Sequence, residues 1–520
     1  MKRATMALAL ALVAGLALAL LHRSRPERAD ASLTVYCAAG LRKPVEAVAE
    51  AYRREYGTEV RLQYGGSGAL LGTLRVSGQG DLYLAADDGT LADARRLGLA
   101  HEAVPMARQH PVIAVQRGNP KGIRSLADLL RDDVRVALTN PETASNGRIV
   151  RAALGARWDR LAAHAGVTKP TVTEVAQDVT LNAVDAAIVW DSTVSQFEGL
   201  EAVEAPELRD HQENASAAVL EACVRPAAAL RFARYLAAPE KGGTAFRQCG
   251  FVPVEGDAWV ERPELVLYSG GVNRLAIEPL LASFQEREGV NVTTVFNGCG
   301  ILCASIQTMA DAGSSKVPDA YYACDVCFLP PVALFFREAF VLTETDIVMV
   351  VPPGNPRGIR ALRDLVAPGL RLGLCNAEQS TLGHMTQGLL RAEGLAEAVG
   401  KNVSVEVPTA DFLINQMRAG ALDAAIVYRV NATPVEQYLQ IVPIDHPGAE
   451  ARQPFSIRPT SQRRQLAGRL LRYFREHSAR FEEAGFRWRG ETEAIRSDEI
   501  DLPPWLSRPG SAASRTPTKG

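Results

Sequence analysis

Neither sign of charge dominates this 520-residue sequence: 57 lysines and arginines meet 59 aspartates and glutamates, a formal net charge of -2. No global field is therefore available to draw in nucleic acid or a strongly charged partner. Zinc-ligand spacing is also missing. Cys324 and Cys327 form one CxxC, no second CxxC answers it, and His384 is the one histidine nearby. Asp87 and Asp325 each follow a strand-like run, but no partner acid, base or nucleophile recurs beside them, so they read as capping or hinge residues. His101, His110, His164 and His211 are not repeated in the second half and read as surface or core histidines. With neither a triad nor a metal pattern, the chain is not read as an enzyme, and no cofactor is implied.

Long apolar runs are confined to the N-terminus. Lys2 and Arg3 precede an apolar stretch from Met6 to Leu21, shorter than the roughly 20 residues of a membrane span and typical of a secretory signal. Ala29–Ala31 offers a cleavage site, but it lies beyond Arg23, Arg25, Pro26 and Arg28, so an uncleaved membrane anchor stays open. Either way, the bulk of the chain is expected outside the cytoplasmic membrane, periplasmic or extracytoplasmic.

The sequence is organised around a glycine-rich turn that occurs twice, YGGSGAL at Tyr64–Leu70 and FNGCGIL at Phe296–Leu302. The first follows the alternating TEVRLQ and precedes leucines 70, 71 and 74 at helical spacing, which puts Ser67 at a helix start. Backbone N–H groups there have no intrahelical partner and the helix dipole is positive, so an anion can be held without lysine or arginine. The surroundings recur too. LTVYCAAGLRKPVEAVAEAYRREYG from Leu33 matches LVLYSGGVNRLAIEPLLASFQEREG from Leu265, RGNPKGIRSLADL from Arg117 matches PGNPRGIRALRDL from Pro353, and VDAAIVW ending at Trp190 matches LDAAIVY ending at Tyr428. A spacing of about 235 residues marks a duplicated domain, not a short-period solenoid. Cys299 then stands opposite Ser67.

Strands alternating with helices imply an α/β fold with mainly parallel sheets and ligand groups on the loops after strand ends. Three such loops in the first half are small, neutral and rich in donors: Ala38–Gly40, Gly65–Gly68 and Ser145–Gly147. Together they suit a fully ionised tetrahedral oxyanion. The expected organisation is a leader over 1–31, solute-binding domains over 32–256 and 263–490 with a linker at Glu255–Pro263, and a disordered polar tail over 491–520.

These motifs resemble the type 2 periplasmic solute-binding proteins, and among them the molybdate-binding component of bacterial ABC importers. CAAGL at Cys37, GGSGAL at Gly65, AADD at Ala85, NPETASNG at Asn140 and AIVW at Ala187 carry the resemblance. It implies two tandem two-lobed domains, a small inorganic oxyanion such as molybdate or tungstate, and an ABC permease as partner. The family's ligand positions fall on Gly40, Ser67, Asn146, Gly147, Val179 and Trp190 in the first domain. In the second they fall on Gly271, Cys299, Thr381, Gly383 and Tyr428. Gly40 and Trp190 replace a serine and a tyrosine, which removes two hydroxyl donors.

Eight cysteines leave three readings open. Cys303 with Cys327, and Cys223 with Cys249, are candidate disulfides. Cys299, Cys324 and Cys375 are candidate soft-metal ligands. Packed, inert thiols are the third reading. Competing functions are an anchored sensory or scaffold protein and a thiol-based metal-binding protein.

Overall fold

The computed structural model describes residues 32–312 and 317–506. They form two compact units that divide between Trp259 and Val260.

In the first unit β1 (Leu33–Ala38), α1 (Arg42–Tyr56), β2 (Val60–Gly65), α2 (Ser67–Ser77), β3 (Leu82–Ala85), α3 (Asp88–Arg96) and β4 (Ala100–Gln109) build one lobe. The chain crosses at His110 into a second lobe made by β5 (Pro111–Gln116), β6 (Val136–Thr139), α4 (Ser145–Leu154), β7 (Val167–Lys169), α5 (Val172–Thr180), β8 (Ala186–Trp190) and β9 (Leu200–Val203). It then returns as β10 (Glu213–Leu220) and β11 (Val252–Pro253). The lobes hold one sheet each, in the orders β11-β4-β10-β3-β1-β2 and β7-β6-β8-β5-β9.

The sheets are mixed where mainly parallel ones were expected. β1 pairs parallel with β2 and β3, but β10 runs antiparallel to β3 and β4, and β5 antiparallel to β8 and β9. The cause is the double crossing, which sends strands back reversed. Apolar spacing fixes the layers. Val45, Val48, Ala49 and Tyr52 occupy one face of α1 and are buried, and the helix stops at Gly57 in the left-handed conformation, φ 71°.

The second unit repeats this order with β12 (Glu264–Gly270), β13 (Asn291–Asn297), α6 (Cys299–Asp311), β14 (Ala320–Tyr322), β15 (Glu338–Val351), β16 (Leu372–Cys375), α7 (Thr381–Ala392), β17 (Val403–Val407), α8 (Ala410–Arg418), β18 (Ala424–Tyr428), β19 (Gln440–Pro443) and β20 (Glu450–Ile457). The repeat reaches single side chains. Asn119 and Asn355 both adopt positive φ, 47° and 49°. Each side chain accepts from the N–H four residues on, Ile123 or Ile359, at 2.9 Å.

One difference separates the units. β15 is a single 14-residue strand, whereas its counterpart is broken into β4 and β5 at Pro111, which has no N–H to continue a ladder. The strands of the second unit therefore merge into one eleven-stranded sheet among the described residues.

Two expectations need correction. The polar segment from Glu491 is not loose as far as Leu506. Just before it β21 (Arg487–Trp488) pairs with β15; within it the Glu491 N–H donates to Val341 O at 3.0 Å, β22 (Ile495–Arg496) pairs with β15, Ser497 is buried, and Trp505 packs on His446. Residues 507–520, like the leader, lie outside the described residues. Neither disulfide forms: all eight cysteines are free thiols. Among the described residues no helix is long and apolar enough to cross a membrane.

One ion pair ties β16 to the start of β18. Asp423 accepts from the Arg371 side chain at 3.0 Å and from its backbone N–H at 2.9 Å. Those bonds, against the opposing effect of burial, hold the carboxyl down at about 2. A carboxyl depressed on folding contributes stability above its unfolded value near 3.9, lost as the pH falls through the folded one. Asp423→Asn is therefore expected to lower the unfolding midpoint of the second unit at pH 7 and to match the parent near pH 2. Equal midpoints at both pH values would refute the assignment.

Candidate functional site

Each helix that faces the cleft of the first unit starts at a strand end, so its first N–H groups point into the gap between lobes. α2 starts at Ser67 and α4 at Ser145, both without a side-chain cap. α5 starts at Val172, where Thr171 accepts from the Glu174 N–H at 3.3 Å. The three N-termini converge on a small cavity lined by Gly40, Gly66, Ser67, Ala86, Ser145, Asn146, Thr171, Val172 and Trp190 among others. No charged side chain is among its lining residues. The positive field there comes from the oriented amides alone.

Two side chains are held so that their donors face this space. Ser67 Oγ accepts from the Ala86 N–H at 3.4 Å, which leaves its proton free for the cavity. Thr139 Oγ1 donates to Asn146 Oδ1 at 3.1 Å, which fixes the amide. Asn146 Nδ2 is then turned away from Thr139, in a residue only 1% exposed, and has no hydrogen-bond partner. Thr193 Oγ1 is a buried hydroxyl that also lacks a partner, 3.7 Å from where a Cβ on Gly40 would stand. A buried donor left unpaired costs about 1–3 kcal/mol, which is the signature of a missing acceptor.

The lobes meet directly around the cavity. The Ala69 N–H donates to Thr143 O at 3.2 Å, and Arg148 on α4 ion-pairs with the fully buried Asp87. Asp87 also caps α3 through the Thr90 N–H at 2.8 Å. A Cβ on Gly66 would collide with Thr143 O and lie 2.7 Å from Pro170 O, both on the opposite lobe.

Of the residues singled out in sequence, Gly40, Ser67, Asn146 and Trp190 come together in this cavity. Gly147 and Val179 do not. Gly147 sits behind the loop, where a Cβ would strike Thr139 O. Val179 lies in the last turn of α5 with its carbonyl accepting from Gln116 Nε2 at 3.1 Å. The valine at the cavity is Val172. It was legible in T-x-x-E at Thr171–Glu174, the capping pattern that marks a helix start. Ala86 reaches the cavity from the turn after β3, inside the AADD stretch, whereas Thr193, in the short helix after β8, carried no sequence signal.

The second cleft is built alike and lined differently. Gly271, Cys324, Ser380, Thr409, Asp411, Tyr428 and Asn431 are among the residues around a small cavity. The helix starts at Ser145 and Thr381 align these two residues, so Leu382 stands where the first unit has Asn146, and His384 where it has Arg148. Gly383, like Gly147, packs behind its loop, against Cys375 O. Cys299 Sγ accepts from the Cys324 N–H at 3.2 Å, as Ser67 does from Ala86. Cys299 and Cys324 come together, while Cys375 hydrogen-bonds Ser380. Among the described residues no group of three or more His, Cys, Asp or Glu is placed to hold a metal ion.

A two-lobed α/β unit with its cavity at strand ends, present twice, defines a solute-binding protein. The chain belongs to the bacterial extracellular solute-binding proteins, whose family model matches residues 33–252 and again 265–487. A binding protein of Haemophilus influenzae is 28% identical over 118 residues, 23% of this chain and 48% of its own length. The molybdate-binding protein ModA of Mycobacterium bovis is 27% identical over 231 residues, 44% of this chain and 86% of its own. Among solved structures, the periplasmic molybdate-binding protein of Azotobacter vinelandii is 18% identical, with a TM-score of 0.36 over 42% of this chain and 98% of its own.

Proposed function

We propose that the first unit binds a tetrahedral oxyanion, molybdate or tungstate, and presents it to an ABC permease as the solute-binding component of an importer. The observation that carries this reading is the unpartnered Asn146 amide, buried in a cavity without charged side chains and ringed by three helix N-termini. A dianion is stabilised there by N–H and O–H donors, each charge-assisted, and needs no cation. Ser67, Ser145 and Asn146 supply side-chain donors, and the starts of α2, α4 and α5 supply amides. Gly40 and Trp190 shape the wall. The likeness to ModA supports the oxyanion class, and cavity size is the proposed basis for rejecting sulfate, a smaller ion of the same shape.

Titration calorimetry of the full chain with molybdate, tungstate, sulfate and phosphate tests the reading. Molybdate binding at the first unit, displaced by tungstate and not by sulfate, is the expected result. Absence of heat, and of any shift in thermal midpoint, with all four anions would overturn it.

A further inference from the structure

The second cleft differs from the first in the direction of sulfur. Cys299 replaces Ser67 and Cys324 replaces Ala86, and both sulfurs converge beside Gly270. A Cβ there would collide with the Cys324 sulfur and lie 3.2 Å from that of Cys299. Both thiols are buried, and Cys324 lines the cavity. On the opposite lobe the Tyr428 hydroxyl lines the same cavity, 3% exposed and without a hydrogen-bond partner.

We propose that the second cleft binds a trivalent oxyacid of a soft element through Cys299 and Cys324, with arsenous acid, As(OH)3, as its simplest member. Three observations favour this class. A molybdate-like dianion is disfavoured, since the Asn146 amide has become Leu382, a thiol is a weaker donor than a hydroxyl, and the Asp411 carboxyl lines the cavity. An uncharged acid avoids that repulsion. A bare soft cation would satisfy the sulfurs but leave the Tyr428 hydroxyl unpaired, whereas an oxyacid keeps an oxygen to accept from it.

In the reaction two S–H and two As–OH groups condense. Two S–As bonds form, two As–O bonds and two S–H bonds break, two waters leave, and the third hydroxyl stays on arsenic, which remains trivalent. No oxidant or reductant is needed. Burial raises the Cys299 thiol, but the adjoining Cys324, whose N–H donates to Cys299 Sγ at 3.2 Å, outweighs it and lowers the group, while Cys324 itself is raised. Cys303 and Cys327, also buried, are pushed up instead and stay protonated.

The test uses the full chain, kept reduced with a phosphine, incubated with arsenite, desalted, and assayed for arsenic by elemental mass spectrometry. One arsenic per chain is expected, falling to background in Cys299→Ser and in Cys324→Ser and persisting in Cys303→Ser and Cys375→Ser. Tyr428→Phe keeps both thiols and the packing, and is expected to weaken retention about fivefold, the effect of one hydrogen bond. Retention indifferent to Cys299 and Cys324 would overturn the proposal, as would retention of silver(I) with none of arsenite. Molybdate heat from the first unit serves as the fold control, and its loss or persistence is independent of the arsenic result.

Discussion

The double variant Thr139→Val/Asn146→Leu is expected to bind molybdate about 10- to 100-fold more weakly than the parent, with no loss of stability in the free protein. A hydrogen bond to a charged group contributes about 1.5–3 kcal/mol, and each 1.4 kcal/mol is tenfold in affinity. Asn146 Nδ2 has no protein partner even with the lobes together, so its removal takes no hydrogen bond from the protein itself. Changing Thr139 together with it matters, because Thr139 Oγ1 donates to Asn146 Oδ1 at 3.1 Å and would otherwise become a buried donor without an acceptor. Replacing both partners of a buried pair by apolar groups of similar shape is close to neutral. Calorimetry and a thermal melt without ligand separate the two quantities. A fall in midpoint with affinity unchanged would make Asn146 a structural residue and remove the central support for the oxyanion reading.

What could be read from the chain alone follows from how local each feature is. The duplication, the strand–turn–helix at Ser67, and Trp190 at the end of an apolar strand are encoded within short stretches. Each is correctly placed because glycine-rich turns and strand periods are local properties. Val179, which the resemblance assigns, lies at the far end of the helix from the cavity, and Val172, at the helix start after Thr171, lines it. The wall at Ala86, and the convergence of Cys324 on Cys299, depend on how strands distant in sequence pair within one lobe. No periodicity reports that. The segment from Glu491 to Leu506 reads as polar and loose, yet one short strand and Trp505 anchor it. A few backbone pairings and one aromatic are enough to overrule composition.

Gly66→Ala is expected to weaken molybdate binding about 5- to 150-fold while leaving the thermal midpoint of the free protein unchanged. Gly66 has φ -66° and ψ 145°, a conformation open to any residue, so alanine meets no backbone strain at this position. The obstacle is the other lobe: a Cβ would collide with Thr143 O and approach Pro170 O to 2.7 Å. Backbone carbonyls cannot turn aside as a side chain can, and overpacking of this kind costs about 1–3 kcal/mol. The cost arises only when the lobes are together. If ligand binding closes the cleft by hinge motion between lobes, alanine selects against the bound state alone. Small-angle scattering provides the second readout: molybdate should contract the parent and leave Gly66→Ala unchanged. Gly298 is the same device in the second unit, where a Cβ would collide with Gln379 O and lie 2.8 Å from Pro408 O. Gly298→Ala should therefore spare molybdate binding. Parent affinity in Gly66→Ala would mean that the bound lobes do not reach the contact seen around Ser67, and that the ligand is held by one lobe.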